Sequence, residues 1–477
     1  MFVRFVAMIL CGFAALPVVT QAASPSATKR AVVASIDQHA ADLSGLSDKV
    51  WEYAETALRE HKSSKLLADY AESKGFTVTR GVSGMPTAFI ARFGSGHPII
   101  GIMGEYDALP GVSQKAIAQK SPLVEGAAGH GCGHNMFGAA SLGAALAIKD
   151  QIAAGKLKGT IVFYGTPAEE AVGGKTYMAR DGVFDEVDVM FAWHPGDESM
   201  ADAVTSQAMV DLMVEFKGQA AHAAGDPWNG RSALDGAIAF ANGIEMMREH
   251  MKTSSRVHYV IPDGGDVPNV VPEHAKVWIW ARDQQRTEVD GLYARIRKIA
   301  EGAALMTGTE AVVHLQGGSW EVLLNDPGAK LIDANLRWIG APVYTAEEEA
   351  FAKQIQTATN VPAIGMERKI RALDDQEPEG GSTDVGDVSW VVPTLTVTVV
   401  TSPKDAPWHA WPVVATGGMS IGHKGMLVAA KTLAASMVDL YEKPAALKAV
   451  RADFEKRRGD VRFKAYLPDG PPPLPKD

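Results

Sequence analysis

The chain has 477 residues, a formal net charge of −10 at pH 7, and 46% hydrophobic against 21% charged residues. This length predicts two or three domains rather than one, and the composition is typical of a globular protein. Because the balance is acidic and the sequence contains no strongly basic stretch, nucleic acid is excluded as the expected partner.

The N-terminus has the pattern of a secretory signal peptide, which we predict over residues 1–23. Arg4 supplies the positive start, Phe5 to Val19 is apolar, and small residues suited to cleavage follow. The apolar run of about 15 residues is shorter than the roughly 20 that a membrane span needs. We therefore expect an exported protein, most simply periplasmic, without membrane contact after cleavage. The mature chain would retain Cys132 alone, so an internal disulfide is not expected.

Residues 24–204 are predicted to form the first part of an α/β domain. Apolar positions at helical spacing predict two helices between residues 29 and 75. Apolar strands bounded by Gly and Pro follow in PIIGIMGEYDALP, GTIVFYGTPAEE and VDVMFAWHPG, with a small-residue helix over Ala139 to Ala154. Such alternation predicts a layered sheet that binds ligands beyond the carboxyl ends of its strands.

The pattern changes near residue 205, and we predict an inserted domain over residues 205–320. Its elements follow the order strand, helix, strand, strand, helix, strand, which favours a ferredoxin-like α+β sandwich. The α/β pattern resumes over residues 321–445, which are predicted to complete the first domain. Residues 446–477 are predicted to be a C-terminal tail, because the chain ends in DGPPPLPKD.

Residues that bind metals or move protons recur in a glycine loop and after the predicted strands. Six of them stand out: Cys132, His134, Glu169, Glu170, His194 and His409. A thiolate, imidazoles and carboxylates together suit Zn²⁺, or Mn²⁺ where oxygen ligands predominate. Five ligands are more than one tetrahedral ion needs, so the set predicts two ions that share a bridging ligand.

The adjacent residues Glu169 and Glu170 can have different chemical roles, although other interpretations stay open at this stage. Neighbours on an extended segment point opposite ways, so one can bind metal while the other acts as general base. Paired glutamates also occur on solvated helix faces, and His130 and His222 can be buried structural histidines. Cys132 can be a small buried residue, or a nucleophile with His130 or His134 as its base.

Several long motifs resemble peptidase family M20, in its amidohydrolase branch: GEYDALPG, GHGCGHNMFGAASLGAALAIK, GTPAEEAVGGK, FAWHPG, GQAAHAAGDPWNGRSALDGA and VPNVVPE. Within that branch, GMSIGHKGMLVAAK and GSTDVGDVSW favour the B-type hydrolases of aminobenzoyl-glutamate utilisation. The resemblance implies a metal-binding α/β/α catalytic domain with an inserted lid and dimerisation domain. It also implies metal-dependent hydrolysis of a p-aminobenzoyl-glutamate-like N-acyl or N-aroyl amino acid, or of a dipeptide.

The resemblance further implies a role for each matching residue. The ligands of two divalent ions, Zn²⁺ or Mn²⁺, would be Cys132, His134, Glu170, His194 and His409. Glu169 would be the general base, and His222 would polarise the scissile carbonyl, often from the partner subunit of a homodimer formed through the lid. Asn269 and Arg282 would bind substrate, and Asp107 would orient the site from behind the ligands.

Two departures from the family pattern bear on function. Many members carry a histidine ligand where GEYDALP stands, and here Glu105 occupies the approach to Asp107. The signal peptide favours scavenging of exogenous amides over folate salvage.

Two further alternatives stay open. His423, in SIGHKG, is a rival to His409 as the metal ligand nearest the C-terminus. The alternative functions are a non-catalytic subunit of a hetero-oligomer and a cysteine-nucleophile hydrolase.

Overall fold

The computed structural model describes residues 24–377 and 380–475, so the predicted signal peptide lies outside the described residues. Two β-sheets, each with its own hydrophobic core, organise this part of the chain. The mixed α/β fold predicted from the sequence is confirmed. Among the described residues, no helix is long and apolar enough to cross a membrane.

Eleven strands, numbered in chain order, occur in the described residues: β1 (Thr77–Arg80), β2 (Phe89–Ser95), β3 (Ile99–Gly104), β4 (Gly159–Gly165), β5 (Val189–Gly196), β6 (Met200–Ala201), β7 (Ala208–Lys217), β8 (Arg256–Asp263), β9 (His274–Asp283), β10 (Glu310–Ser319) and β11 (Thr394–Val400).

The α-helices of the same ranges are α1 (Ala27–Gln38), α2 (Ala40–Tyr53), α3 (His61–Ser73), α4 (His134–Ala153), α5 (Gly174–Arg180), α6 (Ala233–Arg248), α7 (Arg286–Thr307), α8 (Asp326–Ile339), α9 (Ala346–Ala358), α10 (Val385–Ser389), α11 (Trp411–Gly417), α12 (Ser420–Glu442) and α13 (Pro444–Arg458).

The larger sheet has the strand order β1-β2-β4-β3-β5-β11-β6. Its central strands β4, β3, β5 and β11 run parallel, whereas β2 and β6 pair antiparallel with the strands they border. Parallel strands covered on both faces are apolar throughout, and every residue of β3 and β4 is buried. The four parallel strands end at one edge of the sheet, and the predicted metal ligands lie at the end of β5 or in the loops beyond that edge.

Helix α4 crosses the larger sheet and is buried along most of its length. Its small residues permit this close packing: a Cβ added to Gly143 would lie 2.6 Å from Cδ1 of Leu43 in α2. The sequence-based start of this helix, at Ala139, was wrong. Gly133 has a φ of +79°, which reverses the chain at once, so His134 is already the first helical residue.

The N-terminal region contains three helices rather than the two predicted over residues 29–75. His39 leaves the helical conformation between α1 and α2, and Ala54 ends α2 in the left-handed region. Helical spacing of apolar residues continues across these breaks, so the spacing alone did not reveal them.

The smaller sheet has the antiparallel order β10-β7-β9-β8. Alternate residues of β7 and β9 are buried, among them Leu212 and Ile279, in a core shared with α6 and α7. The elements occur in the predicted β-α-β-β-α-β order and all lie inside residues 205–320. The domain limits themselves, 24–204, 205–320 and 321–445, stay predictions. The segment predicted as a tail, 446–477, begins inside α13.

An aromatic cluster joins the two parts of the molecule where β10 leaves the smaller sheet. The Trp320 ring lies 5.2 Å from that of Trp390 and 5.1 Å from that of Phe463. The Arg286 guanidinium, at the start of α7, stacks over Trp320 at 4.3 Å. Tyr466 donates a 2.5 Å hydrogen bond to Asp290 of α7. The C-terminal segment therefore packs against both the α/β core and the inserted sheet.

We expect Ile102→Ala to destabilise the α/β core strongly. Ile102 is fully buried in β3, and truncating such a side chain costs about 2–5 kcal/mol of unfolding free energy. Urea unfolding measures this loss. Val343→Ala is the control, because Val343 is 83% exposed and its truncation should cost less than about 0.5 kcal/mol. Equal losses in the two variants would contradict the assigned core.

Candidate metal centre

The glycine loop between β3 and α4 delivers two of the predicted ligands. Gly133, in the left-handed region, turns the chain so that Cys132 and His134 flank the start of α4. A Cβ at Gly133 would lie 2.9 Å from Met136 and 3.0 Å from Pro195, so only glycine fits there. The loop is thus shaped by packing as well as by chemistry.

Two non-glycine residues with positive φ lie beside the predicted site. Ala168, immediately before Glu169, has a φ of +64°, and His409 has a φ of +53°. The amide of Ala168 donates to the buried Glu60 carboxylate at 2.9 Å, and that of His409 donates to the Gly131 carbonyl at 3.0 Å. Such backbone is energetically costly and persists where surrounding contacts enforce it, often at functional sites.

The six residues singled out in the sequence come together at the carboxyl edge of the larger sheet. They form three overlapping groups, and the possible ligand atoms within each group lie within 4.8 Å of one another. The groups are Cys132 with His134 and His194, Cys132 with Glu170 and His409, and His134 with Glu169 and Glu170.

Two interatomic distances show how close the members of these donor groups are to one another. Sγ of Cys132 lies 3.4 Å from Nε2 of His194, and Nε2 of His409 lies 3.6 Å from Oε2 of Glu170. Nδ1 of His194 donates to the Pro195 carbonyl at 2.7 Å, which leaves Nε2 as the free ligand atom. Burial, and then the charge of His134, lower the pKa of His194 to about 3, so the imidazole is neutral as a ligand requires.

His134 lies between two buried carboxylates. Its Nδ1 is 3.0 Å from Oδ1 of Asp107, and its Nε2 is 3.1 Å from Oε2 of Glu105. Burial alone would lower the pKa of His134, but the charges of Glu105 and Cys132 outweigh it and raise the pKa well above its ordinary value. The surroundings of this imidazole therefore demand a positive charge, either a proton or a metal ion.

Asp107 connects two of the predicted ligands. Besides its contact with His134, its Oδ2 accepts a 2.9 Å hydrogen bond from the backbone amide of Glu170. Burial would raise the pKa of Asp107, but the facing His134 lowers it overall. Asp107 thus contacts both residues without belonging to any of the candidate donor groups, and its orienting role stays a prediction.

Carboxylates crowd the site. Burial, followed by the charge of neighbouring Glu105, raises the pKa of Glu169 well above its usual range. Burial likewise raises the pKa of Glu170 to about 7, and raises the pKa of the Cys132 thiol. Groups arranged in this way ionise together only when cations compensate them.

The donor atoms fit a divalent ion. Nε2 of His134 and Oε1 of Glu170 are buried and have no hydrogen-bond partner, an arrangement that costs free energy in a protein interior. Together with the Cys132 thiol and two further imidazoles, they provide the mixed nitrogen, oxygen and sulfur shell that Zn²⁺ or Mn²⁺ accepts.

The remaining predicted residues lie on or beside the smaller sheet. His222 and Asn269 lie in exposed loops at the end of that sheet, and Arg282 lies on β9. Among residues 24–377 and 380–475, no hydrogen bond or ion pair joins any of the three to the metal-ligand cluster. The structure thus brings together the predicted ligands, and it does not bring these substrate residues to them within one chain.

Two histidines considered in the sequence have other environments. His423 contacts Oδ1 of Asp48 at 2.7 Å, so its ring is engaged outside the cluster that contains His409. His130 is buried, and its Nε2 donates to the Val50 carbonyl at 3.0 Å. Burial lowers the pKa of His130 to about 4, as suits a neutral structural residue.

Sequence reasoning missed Lys175 and Asp384. Lys175 is fully buried, with Nζ 2.7 Å from Oε1 of Glu105 and 2.5 Å from Oδ1 of Asp384. A lysine in GGKT and an aspartate in GSTDVG gave no signal of burial, because charged residues are seldom buried. Lys175 and Asp384 are also far apart along the chain, so no local sequence pattern indicated that they form an ion pair.

We expect the metal-free protein to be less stable than the metal-bound protein, because like charges then face each other. Adding Zn²⁺ or Mn²⁺ at about 100 times its dissociation constant should raise the unfolding free energy by about 2.7 kcal/mol per bound ion. Thermal unfolding before and after chelation measures the change. His194→Ala removes one ligand, so the added ion should raise its unfolding free energy by less than that of the wild type. An equal rise in both proteins would contradict the proposed site.

Comparison with known proteins agrees with this geometry. The model of peptidase family M20/M25/M40 matches residues 101–413. The chain is 39% identical over 460 residues to the B-type subunit of p-aminobenzoyl-glutamate hydrolase from Escherichia coli (strain K12), covering 90% of this chain and 95% of that protein. It is 29% identical over 452 residues to the Xaa-Arg dipeptidase of Homo sapiens, covering 90% and 92%.

A solved structure supports the fold. The YXEP protein of Bacillus subtilis, described as a dinuclear metal binding peptidase from the M20 family, superposes with a TM-score of 0.59 at 18% identity, covering 85% of this chain and 99% of that chain. The family match and the long relative agree with the resemblance inferred from the motifs. The chain therefore belongs to peptidase family M20/M25/M40 and is a metal-dependent hydrolase of amide or peptide bonds.

Proposed function

We propose that the chain hydrolyses the amide bond of an N-acyl or N-aroyl amino acid of the p-aminobenzoyl-glutamate kind, or of a dipeptide. Two divalent ions per subunit, Zn²⁺ or Mn²⁺, would be held by Cys132, His134, Glu170, His194 and His409. The observation that carries the proposal is the convergence of these five donors with Glu169 at one edge of the parallel sheet. The substrate class rests on the relatives from Escherichia coli and Homo sapiens.

Glu169 is the proposed general base. Of the two adjacent glutamates, Glu169 belongs to one of the three donor groups and Glu170 belongs to two, so the Glu169 carboxylate is the less committed to ligation. Bound divalent ions would supply a water with its pKa lowered towards roughly 7. Glu169 would accept a proton from the water as its oxygen adds to the scissile carbonyl, and would pass the proton to the leaving nitrogen as the C–N bond breaks.

His222 is the proposed donor to the scissile carbonyl. Its Nδ1 accepts hydrogen bonds from the amides of Ala224 and Gly225 at 3.2 and 3.0 Å. The neutral ring must therefore carry its proton on Nε2, which is the form that can donate to a carbonyl oxygen. Asn269 is coupled to the same loop, because its carbonyl accepts from the amide of Ala223 at 3.0 Å.

Arg282 is the proposed partner of a substrate carboxylate. The side chain is half-buried and stacks over Trp280 at 5.1 Å, and its Nε is buried without a hydrogen-bond partner. Burial lowers the pKa of this guanidinium, and no carboxylate among the described residues forms an ion pair with it. A planar, unpaired cation of this kind suits bidentate binding of a carboxylate.

A homodimer formed through the inserted sheet is the proposed assembly. Strand β8 is an edge strand, and it exposes Val260 and Ile261; Met246 on α6 is 73% exposed. Unpaired edges and apolar surface of this kind promote association. Since His222 forms no hydrogen bond or ion pair with the proposed ligands of its own chain among the described residues, we propose that a partner subunit supplies it. Export to the periplasm is also proposed, on the basis of the signal-peptide pattern.

Two alternatives have less support. The relative from Escherichia coli is by its name one subunit of a hydrolase, which favours a hetero-oligomer as a second candidate assembly. A cysteine nucleophile needs an accessible, acidic thiol. Cys132 is instead buried, and burial raises its pKa, so it serves poorly as a nucleophile in this setting.

We expect Glu169→Gln to lower turnover by about 10²–10⁴-fold, because the isosteric amide cannot take up the proton. Metal content, measured by elemental analysis, should stay near that of the wild type. Glu170→Gln is the matched control, since it should lose metal as well as activity. Unchanged turnover in Glu169→Gln on p-aminobenzoyl-glutamate and dipeptides would overturn the assignment.

We expect His222→Ala to lower kcat by about 10²–10³-fold, as for the loss of one oxyanion donor. If His222 acts across a dimer, mixing this variant with Glu169→Gln creates one complete site in each mixed dimer. Random exchange should then restore about a quarter of wild-type activity. Activity assays after unfolding and refolding the two variants together measure the recovery. No recovery, with mixed dimers shown by mass, would contradict action in trans.

A further inference from the structure

We infer that Glu105 is an additional metal ligand, and that Lys175 is a positioning residue that holds its carboxylate in place. The inference rests on the proposed metal-dependent function, and it assigns a donor beyond the five ligands already proposed. It depends on three observations: the distance from Glu105 to His134, the lack of a hydrogen bond between their facing atoms, and the contacts of Lys175.

The first observation concerns the ring atom of His134 that is left for an ion. Nδ1 faces Asp107 at 3.0 Å, so Nε2 is the atom available for coordination. Oε2 of Glu105 lies 3.1 Å from that Nε2. Two donor atoms each about 2.1 Å from one ion are separated by about 3.0–3.4 Å at the usual coordination angles. The observed separation therefore fits two ligands of a common ion, as well as a direct ion pair.

The second observation is that this contact is not a hydrogen bond. Glu105 and His134 are each 1% exposed, and both oxygens of Glu105 and Nε2 of His134 lack a hydrogen-bond partner; of the two oxygens, Oε1 has the Lys175 ammonium beside it. Buried polar atoms of this kind are normally satisfied. A proton on Nε2 would make this contact an ion pair, and a divalent ion between Oε2 and Nε2 would satisfy both atoms by coordination.

The third observation is the asymmetric environment of the Glu105 carboxylate. Oε1 faces Nζ of Lys175 at 2.7 Å, whereas Oε2 faces His134. Lys175 is itself fixed, because Nζ lies 2.5 Å from Oδ1 of Asp384 and its backbone amide donates to Oδ2 of Asp384 at 2.9 Å. The ammonium therefore holds one oxygen and turns the other towards the ligand cluster.

The chain segment that carries Lys175 begins directly after the Glu169–Glu170 pair. A Cβ at Gly174 would lie 2.0 Å from the Pro167 carbonyl oxygen, so this turn closes tightly around the pair. Asp384 neutralises part of the Lys175 charge from the opposite side. Ligand, base and positioning lysine thus come from one compact segment that also fixes Glu105.

The test compares metal binding by the wild type with that of Glu105→Gln and Asp107→Asn. Both carboxylates face His134, but only Glu105 faces the atom left for an ion. In Glu105→Gln, Lys175 still pairs with Asp384, so the substitution does not leave the buried ammonium without a counter-charge. Asp439→Asn is a remote control, because that buried carboxylate pairs with Lys29 at 2.5 Å. Equilibrium dialysis against Zn²⁺ measures stoichiometry, and absorption of the Co²⁺-loaded proteins reports the ligands.

We expect Glu105→Gln to bind one of its ions about tenfold or more weakly and to change the cobalt absorption at saturation. Asp107→Asn should weaken binding, by about 10–100-fold, but should keep the wild-type spectrum once saturated. Asp439→Asn should change neither. If Glu105→Gln fails to fold, Glu105→Asp serves instead, with the carboxylate withdrawn by one methylene and the same spectral change expected.

The role of Lys175 is tested with Lys175→Met and with the double variant Lys175→Met/Glu105→Gln. If Lys175 acts through Glu105, the two losses of affinity are not additive. Additive losses, or wild-type binding by Lys175→Met, would overturn the positioning role. Wild-type stoichiometry and spectrum in Glu105→Gln would overturn the ligand assignment alone. A wild-type chain that binds no divalent ion would overturn the proposed function as well.

Discussion

The central physical constraint of this structure is the crowding of buried carboxylates at one edge of a parallel sheet. Asp107, Glu105, Glu169 and Glu170 lie near one another; burial raises the pKa of the three glutamates, and repulsion from nearby carboxylates, Asp384 among them, adds to this effect. Lys175 compensates only part of this charge. The rest can be neutralised by protons or compensated by metal ions, so the electrostatics of the fold favour the binding of cations at this edge.

The geometry that creates this crowding depends on the parallel strands. β3 and β4 are buried throughout and β5 and β11 over most of their length, and all four end at the same edge, so the loops that follow them start close together. Close packing then allows strained backbone at Ala168 and His409. Because such strain persists only where neighbours enforce it, the rigid sheet supports the precise placement of Glu169 and His409.

Much of this could be predicted from the sequence, since periodicity and motifs are local. The alternation of strands and helices indicated the α/β fold, and the loop around Cys132 indicated ligands. The contacts of Lys175 could not be predicted, because Asp384 lies far along the chain and nothing local marks a buried lysine. The helix start at His134 was also missed, since a glycine-rich loop resembles irregular structure until the φ of Gly133 is known.

The separation of the two halves of the site has a consequence for catalysis. The metal-ligand cluster lies at the edge of the α/β core, whereas the proposed substrate residues His222, Asn269 and Arg282 lie on or beside the smaller sheet, which meets that core through the cluster around Trp320. Tyr466 and Phe463 pack on both parts, so the C-terminal segment limits how the two parts can turn relative to each other. Substrate choice can therefore change with the inserted sheet while the hydrolytic chemistry of the core stays the same.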